Sequence, residues 1–424
     1  MNSSTSRIPI QLLGQSGCRL DFSDCTIYID PYLSNSVQEL DASDLERLIP
    51  IPFMPESVTD ADWILITHEH IDHCDPYTIP QIAKSSPQAK FVCPQPVANL
   101  LEKWGIEQNR IFIASETWSE LNPDLRLLAT PAAHSKIVRN ISGQLLCVGF
   151  IIEAFGQRIY FAGDTCVQQE IIDVLVENAP IHTAFLPVNE QNFFRHRRNI
   201  IGNMSVREAF QFAEEIGVKQ VVAVHWDMFA VNAVDPDEIH LIYKVMNPNF
   251  ILLLNPVSIN LSPVKVSVVI RTLNEAVHLD ELLQSIENQN TNGLTHEVIL
   301  VDSGSTDGTL EIAIRNNCHI YHIGRDEFSF GRSLNMGCKA ASGDILVIIS
   351  GHCIPVDEYW LQHLCQPILD NQAQYTYGRQ IGASTSNFSE CQIFSKYYPE
   401  ENNHLENDFF CNNANSAISR SAWE

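Results

Sequence analysis

Between Thr67 and His73 the chain reads Thr-His-Glu-His-Ile-Asp-His, directly after the apolar run Trp63 to Ile66. Four of its side chains, His68, His70, Asp72 and His73, are candidate ligands for a divalent cation, and few folds can accommodate such a density. Side chains two apart on extended backbone point the same way, so His68 and His70 can grip one ion, while a following turn can swing Asp72 and His73 towards a second. Three further candidates each close a β-like run: His134 in ATPAAHS, Asp164 in IYFAGDT and His225 in VVAVHWD. Ligands placed where strands stop can converge on one edge of a β-sandwich. Histidine and carboxylate without thiolate suits Zn²⁺, Mn²⁺ or Fe in a catalytic site rather than a closed structural one.

The 424 residues exceed one ordinary domain, and 45% hydrophobic against 18% charged residues supplies ample material for buried cores. The formal charge of −25 divides into −14 up to residue 263 and −11 beyond it, so neither part offers a basic platform for nucleic acid. Twelve cysteines are scattered without a CxxC pair, and the start MNSSTSRIPIQLLG lacks the apolar core of a signal peptide, which reads as reduced thiols in a cytoplasmic protein. The longest apolar runs, such as Ile345 to Ile349, fall far short of the ~18 residues of a membrane span.

Up to about Leu254 short β-rich runs alternate with turns and helical stretches. Strands are expected at Thr26 to Ile29, Trp63 to Thr67, Arg158 to Ala162 and Gln220 to Val224. Ser205 and Glu208 spell a capping box, the run to Ile216 is amphipathic, and Gly217 suits the position just past a helix. The stretch 255–263 (NPVSINLSP), rich in proline, asparagine and serine, reads as a linker between a domain at 1–254 and another at 264–424. After it, apolar strands at Val266 to Ile270 and Val298 to Val301 alternate with helices at Ala276 to Asn288 and Gly308 to Asn316, which indicates a parallel α/β sheet.

HEHIDH followed by His134, Asp164 and His225 resembles the H-x-H-x-D-H…H…D…H signature of the metallo-β-lactamase superfamily. The segments LLGQSG (Leu12 to Gly17), IDPYLS (Ile29 to Ser34), FFRHRRNIIGNMS (Phe193 to Ser205) and HWDMF (His225 to Phe229) resemble its L-ascorbate-6-phosphate lactonase-like branch, over residues 8 to about 254. The resemblance implies an αββα sandwich with a binuclear centre: His68, His70 and His134 on one ion, Asp72, His73 and His225 on the other, and Asp164 bridging. Two such ions can share a water, lower its pKa to about 7 and polarise a carbonyl or phosphoryl oxygen, with Asp72 and Asp164 as the catalytic carboxylates and Asp72 orienting the hydroxide. Arg195, His196, Arg197 and Arg198 form the densest basic run and offer donors to a substrate phosphate, as a phosphorylated lactone would require; a solvated loop is the other reading. Asp227, two after His225, reads either as a carboxylate orienting an imidazole or as a helix N-cap.

From Val264 the segments VSVVIRTLNE, VILVDSGSTDGTLEIA, GRSLNMGCKAASGDILVIISGHCIP and NNANSAISRSAWE resemble family 2 glycosyltransferases of GT-A (Rossmann-like) fold. That resemblance implies a nucleotide-sugar at the carboxyl ends of parallel strands, bound by Glu275, Asp302 and Ser303, with Mn²⁺ or Mg²⁺ beside it. Where such enzymes carry an acidic metal ligand after the ILVIIS strand, this chain has Ser350-Gly351-His352-Cys353; His352 reads either as the ligand or as a histidine merely facing the cleft. The domain reads as incomplete at its C-terminal end, before the acidic segment that supplies a general base in such enzymes.

The expected function is that of a metal-dependent hydrolase opening a phosphorylated sugar lactone or related ester, with a small phosphorylated carbohydrate as partner. Homo-oligomers are compatible with it, and nucleic acid is not expected. Three alternatives stand beside it: a nucleotide-sugar-dependent glycosyltransferase with the hydrolase as accessory, hydrolysis of a phosphodiester, and a non-catalytic carbohydrate-binding protein with structural metals.

Overall fold

The computed structural model describes residues 7–154, 156–189, 192–197, 202–260, 264–291, 294–369, 372–382, 387–398 and 413–424. It divides into two compact units, Met1–Ser262 and Pro263–Glu424. Among the described residues no helix is long and apolar enough to cross a membrane.

The first unit holds two seven-stranded sheets. One runs through β1 (Arg7–Gly14), β2 (Gly17–Phe22), β3 (Cys25–Ile29), β4 (Trp63–Leu65), β5 (Lys90–Cys93) and β6 (Ile111–Ile113). The other runs through β7 (Ser119–Asn122), β8 (Leu125–Pro131), β9 (Val148–Ala154), β10 (Gln157–Phe161), β11 (Thr183–Pro187), β12 (Gln220–Val224) and β13 (Ile251–Leu253). A last strand, β14 (Ser258–Asn260), returns to pair antiparallel with β1, placing Ile259 opposite Ile8. A third of the expected linker 255–263 is thus sheet. The physical reason is that Ile8 and Ile259 are both buried and β1 needs a second partner for its backbone.

Both sheets share one plan. An antiparallel meander (β1 to β3, β7 to β10) gives way to parallel pairs (β3 to β6, β10 to β13). Parallel neighbours need crossovers, and helices supply them: α1 (Ile79–Ser85) and α2 (Gln95–Lys103) in the first sheet, then α3 (Gln169–Glu177), α5 (Val206–Glu215) and α6 (Pro236–Met246) in the second, with the short α4 (Phe193–His196) between α3 and α5. Strand alternation decides what each side chain meets. Tyr160, Ala162, Ala184, Leu186, Val221 and Ala223 form one apolar cluster with Ile171, Phe210 and Tyr243 of the helices. The residues between them, Phe161 and Phe185, stack at 4.3 Å on the opposite face and are equally buried. In the first sheet Tyr28 and Ile64 face Ile82 and Leu101 of the helices, whereas Ile27, Ile29 and Leu65 are buried on the other side. Sheets covered on both faces, each with helices on one, make the expected αββα sandwich.

The expected strands of this unit match to within two residues, the largest difference being that Ile66 and Thr67 lie past the end of β4. The capping box forms as read: Ser205 Oγ accepts from Glu208 N, Glu208 Oε2 accepts from Ser205 N, and Gly217 takes φ +68° just past the helix.

The second unit is one six-stranded sheet of order β17-β16-β15-β18-β20-β19, with β15 (Lys265–Thr272), β16 (Thr295–Asp302), β17 (His319–His322), β18 (Ile345–Ser350), β19 (Tyr375–Tyr377) and β20 (Asn415–Ser419). The first four are parallel, joined by α7 (Ala276–Glu287), α8 (Thr309–Arg315) and α9 (Phe330–Ala340). Gly337 lets α9 sit on the sheet, since a Cβ there would stand 2.4 Å from Val269 Cγ1. The expectation of a parallel sheet needs one correction, because β20 and β19 add an antiparallel edge. Such edges are common on otherwise parallel sheets.

Replacing Ser205 by alanine removes both capping bonds of α5. Urea unfolding of the chain should show a loss of about 1 kcal/mol, with the m-value unchanged.

Candidate metal centre

In both sheets of the first unit the parallel strands end on one edge. His68 follows β4, His134 follows β8, Asp164 follows β10 and His225 follows β12. Past β4 the backbone leaves the sheet and turns, with His73 N and Cys74 N donating to His70 O at 3.0 and 2.7 Å. The seven residues singled out in the sequence come together in three overlapping groups: His68 with His70 and His134, His68 with His73 and Asp164, and Asp72 with His73 and His225. Ring centroids of His68, His70 and His134 lie 4.7 to 5.1 Å apart. Asp164 Oδ1 stands 3.3 Å from His73 Nε2 and 3.2 Å from His225 Nε2.

The residues fit a cation on their own chemistry. His68 Nε2, His73 Nε2, both ring nitrogens of His134 and Asp164 Oδ1 are buried with no hydrogen-bond partner, a costly arrangement for polar atoms in a protein interior. His70 is exposed and Asp72 partly so, which leaves the centre open to one side, as a catalytic site requires.

Asp30, at the end of β3, decides which nitrogens are free. It accepts from Thr67 N at 2.8 Å, from Thr67 Oγ1 at 2.6 Å and from His73 Nδ1 at 2.8 Å. Because a carboxylate only accepts, His73 carries a proton on Nδ1, which makes Nε2 the nitrogen a cation would take. Thr67 Oγ1 spends its proton on Asp30, so its 3.0 Å contact with His68 Nδ1 is donated by the ring, and His68 likewise presents Nε2.

Electrostatics sharpen this set. Burial alone would raise the pKa of Asp72 and Asp164, yet His73 and His225 hold both carboxyls well below the usual range. Burial would lower His73, but Asp164, Asp72 and Asp30 outweigh it and push the ring well up, and His225 rises to about 9 against burial under Asp164 and Asp72. His68 and His134 are lowered chiefly by burial, His134 to about 4. The centre therefore combines ionised carboxylates, neutral imidazoles and two imidazoles that gather protons, which a divalent cation would displace.

Asp227 does neither job foreseen for it. No helix starts there, and its carboxylate accepts from the backbone N–H of Gln15, while the carboxylate that holds an imidazole from outside the seven is Asp30. Burial raises the pKa of Asp227. Asp30 and Gln15 both lie in segments noticed in the sequence, IDPYLS and LLGQSG, but nothing in their spacing assigned them a task. Asn189, after β11, is a third addition: buried at the same edge, it accepts from Asn203 Nδ2 at 2.8 Å. Of the basic run, Arg195 Nε donates to Val231 O at 3.2 Å, Arg197 lies over the Phe193 ring, His196 ends α4, and Arg198 lies outside the described residues. A cleft of about 340 Å³ opens beside Glu69, lined by Gln95, Asn99, Lys103, Asn140 and Leu146.

In the second unit Glu275, Asp302 and His352 follow or end β15, β16 and β18, which share an edge because they are parallel. Asp302 is buried and accepts from Gly304 N, Ser305 N, Ser305 Oγ and Thr272 Oγ1; burial opposes these bonds, but its pKa is lowered. Ser303 Oγ donates to Thr272 O at 3.1 Å, which turns it back into the loop. His352 Nδ1 pairs with Glu275 Oε1 at 3.0 Å, and among the described residues no trio of metal-ligating side chains forms in this unit.

Comparison with known proteins assigns both units. Residues 26–226 match the beta-lactamase superfamily domain, and residues 267–424 match glycosyl transferase family 2. An uncharacterized protein of Mycobacterium tuberculosis is 25% identical over 227 residues, 53% of this chain and 60% of that protein, so the chain spans under two thirds of that relative's length. A metal-dependent hydrolase of Alkaliphilus metalliredigens is 28% identical over 217 residues, 49% of this chain and 88% of its own. The crystal structure of a possible metal-dependent hydrolase from Veillonella parvula aligns with TM-score 0.48 and 17% identity, over 60% of this chain and 98% of that one. The chain carries a beta-lactamase superfamily domain followed by a glycosyl transferase family 2 domain.

Replacing Asp30 by alanine strands three buried donors. Urea unfolding in the presence of chelator should show a loss of about 1–3 kcal/mol, and isothermal titration should show divalent-cation affinity reduced about 10–100-fold.

Proposed function

We propose that the first unit is a metal-dependent hydrolase of a phosphorylated sugar lactone or a related ester, working through two divalent ions held by His68, His70, His134, Asp164, Asp72, His73 and His225. The observation that carries this reading is the convergence of these seven residues, with buried nitrogens and an oxygen left unpaired. Ions held there would acidify a water to near neutrality and polarise the oxygen of the bond under attack. Zn²⁺, Mn²⁺ and Fe²⁺ all suit the histidine and carboxylate donors.

The chain's own residues would do the rest. Asp72, at the open side, accepts a hydrogen bond from the nucleophilic water and aims it. Asp164 lies between the two histidine groups and keeps them at a fixed separation. The substrate's hydroxyls find partners in the amides of Gln95, Asn99 and Asn140 beside Glu69, while Arg195 and Arg197 supply cationic donors for a phosphate, with His196 and Arg198 extending the run.

For the second unit we propose transfer of a sugar from a nucleotide-sugar, with the nucleotide at the shared edge where Glu275, Asp302, Ser303 and His352 lie. The match to glycosyl transferase family 2 supports this reading.

The test is proton release from a panel of sugar lactones, with and without a 6-phosphate, by chelator-treated protein reloaded with Mn²⁺ or Zn²⁺. Turnover should need the metal, favour the phosphorylated lactones and fall by at least about 100-fold in Asp164→Asn, the loss of about 3 kcal/mol of transition-state stabilisation. Arg197→Ala should raise KM for phosphorylated substrates alone; an equal rise for unphosphorylated analogues would remove the run from the site. Absence of turnover with two ions bound would redirect the reading to a phosphodiester.

A further inference from the structure

We infer that Gln15 is a positioning residue of the metal centre, holding the Asp72 carboxylate for the ion that Asp72, His73 and His225 would share. The inference rests on the metal-centre reading above and adds to it a residue from outside the seven. Gln15 Nε2 donates to Asp72 Oδ2 at 2.6 Å and lies 3.3 Å from His225 Nε2, while Gln15 O accepts from His225 N at 2.9 Å. One residue thus touches two members of one trio, through both its side chain and its backbone.

The turn that delivers it is locked. Gly14 takes φ +93°, and a Cβ there would stand 2.4 Å from Met228 Cε and 2.5 Å from Ile49 Cδ1. A Cβ on Gly17 would stand 2.9 Å from Asp30 O. Gln15 itself adopts φ +53°, a conformation unfavourable for a side chain with a Cβ, and it is 3% exposed. Strain of this kind persists only where the surroundings over-determine it, and it gathers at functional sites.

Asp72 needs such a hold. It sits in the turn after His70 rather than on a strand, so the sheet does not fix its carboxylate. A hydrogen bond to Oδ2 from a buried amide removes that freedom and holds this oxygen 3.7 Å from His73 Nε2 and 3.6 Å from His225 Nε2, with a lone pair left for an ion, the arrangement by which residues around metal ligands raise affinity. Gln15 Oε1, buried and without a partner, raises the rival assignment that Gln15 is itself a ligand.

Cobalt titration of the chelator-treated full chain, followed by visible absorption, separates these. Wild type should show two binding steps. Gln15→Met, which keeps the volume and loses the donor, and Gln15→Glu, which sets a like charge against Asp72, should both keep the first step and weaken the second by about 10–100-fold. Metal-free melting temperature should stay close to wild type. A tightened second step in Gln15→Glu would overturn the inference in favour of a ligand role. An unchanged second step in Gln15→Met would overturn it outright, and weakening of both steps with a lower metal-free melting temperature would reduce Gln15 to a structural residue. If wild type takes up no cobalt, the metal-centre reading fails and this inference falls with it.

Discussion

The site turns on one buried carboxylate. Asp30 is fully buried, and the cost of holding its charge away from water is met by the backbone N–H and hydroxyl of Thr67 and by the ring of His73. These bonds fix the rotamer of Thr67, which fixes His68, and the tautomer of both rings follows. Thr67 is constrained from its other side too: Gly163, on the loop leading to Asp164, takes φ +61°, and a Cβ there would stand 2.9 Å from the Thr67 side chain. Val148 N, at the start of β9, donates to Thr67 O at 3.0 Å. Thr67 is therefore one point where the two sheets register against each other, and Asp30 is what holds it there.

Backbone strain marks the same place. Of the non-glycine residues with positive φ, Gln15, Asp30 and His225 belong to this centre and Ser135 follows His134 directly. Each such residue costs on the order of 1–3 kcal/mol, which the packed sheets beneath can bear. The strands end in the same register (Pro187 opposite Val224, Ile29 opposite Leu65), and the sharp left-handed steps beyond those ends turn side chains inwards over the edge. Rigid sheet and strained loop are complementary: the first supplies a level platform, and the second aims the groups above it.

Much of this was legible in the sequence. His68, His70, Asp72 and His73 are four potential ligands within six residues, and His134, Asp164 and His225 each end an apolar strand, so both local spacing and strand-end position pointed the same way. The α5 capping box was legible because its physics is local to four residues. Asp30 and Gln15 were not, because their partners stand far along the chain: Gln15 meets Asp72 and His225, and Asp30 meets His73. A lone Asp or Gln after an apolar strand carries no mark of what it will face. The β14 strand was hidden for a related reason, since the proline and asparagine around Ser258 to Asn260 signal a turn and only the N-terminal strand makes it sheet. The antiparallel edge of the second unit escaped because a three-residue strand such as Tyr375–Tyr377 gives no periodicity to read.

The shared plan of the two sheets has a further consequence. His68, His70, Asp72 and His73 come from the first sheet, and His134, Asp164 and His225 from the second, so each of the three groups depends on one guest from across the sandwich, His134, Asp164 and His225 in turn. Neither sheet alone can enclose a cation. An ion held by both would act as a rivet through the sandwich, joining segments that are remote in sequence and so bearing directly on chain entropy, which rises with the length of the loop being closed. In that light such a centre would also be a mechanical joint, set at the edge where the domain's two halves meet.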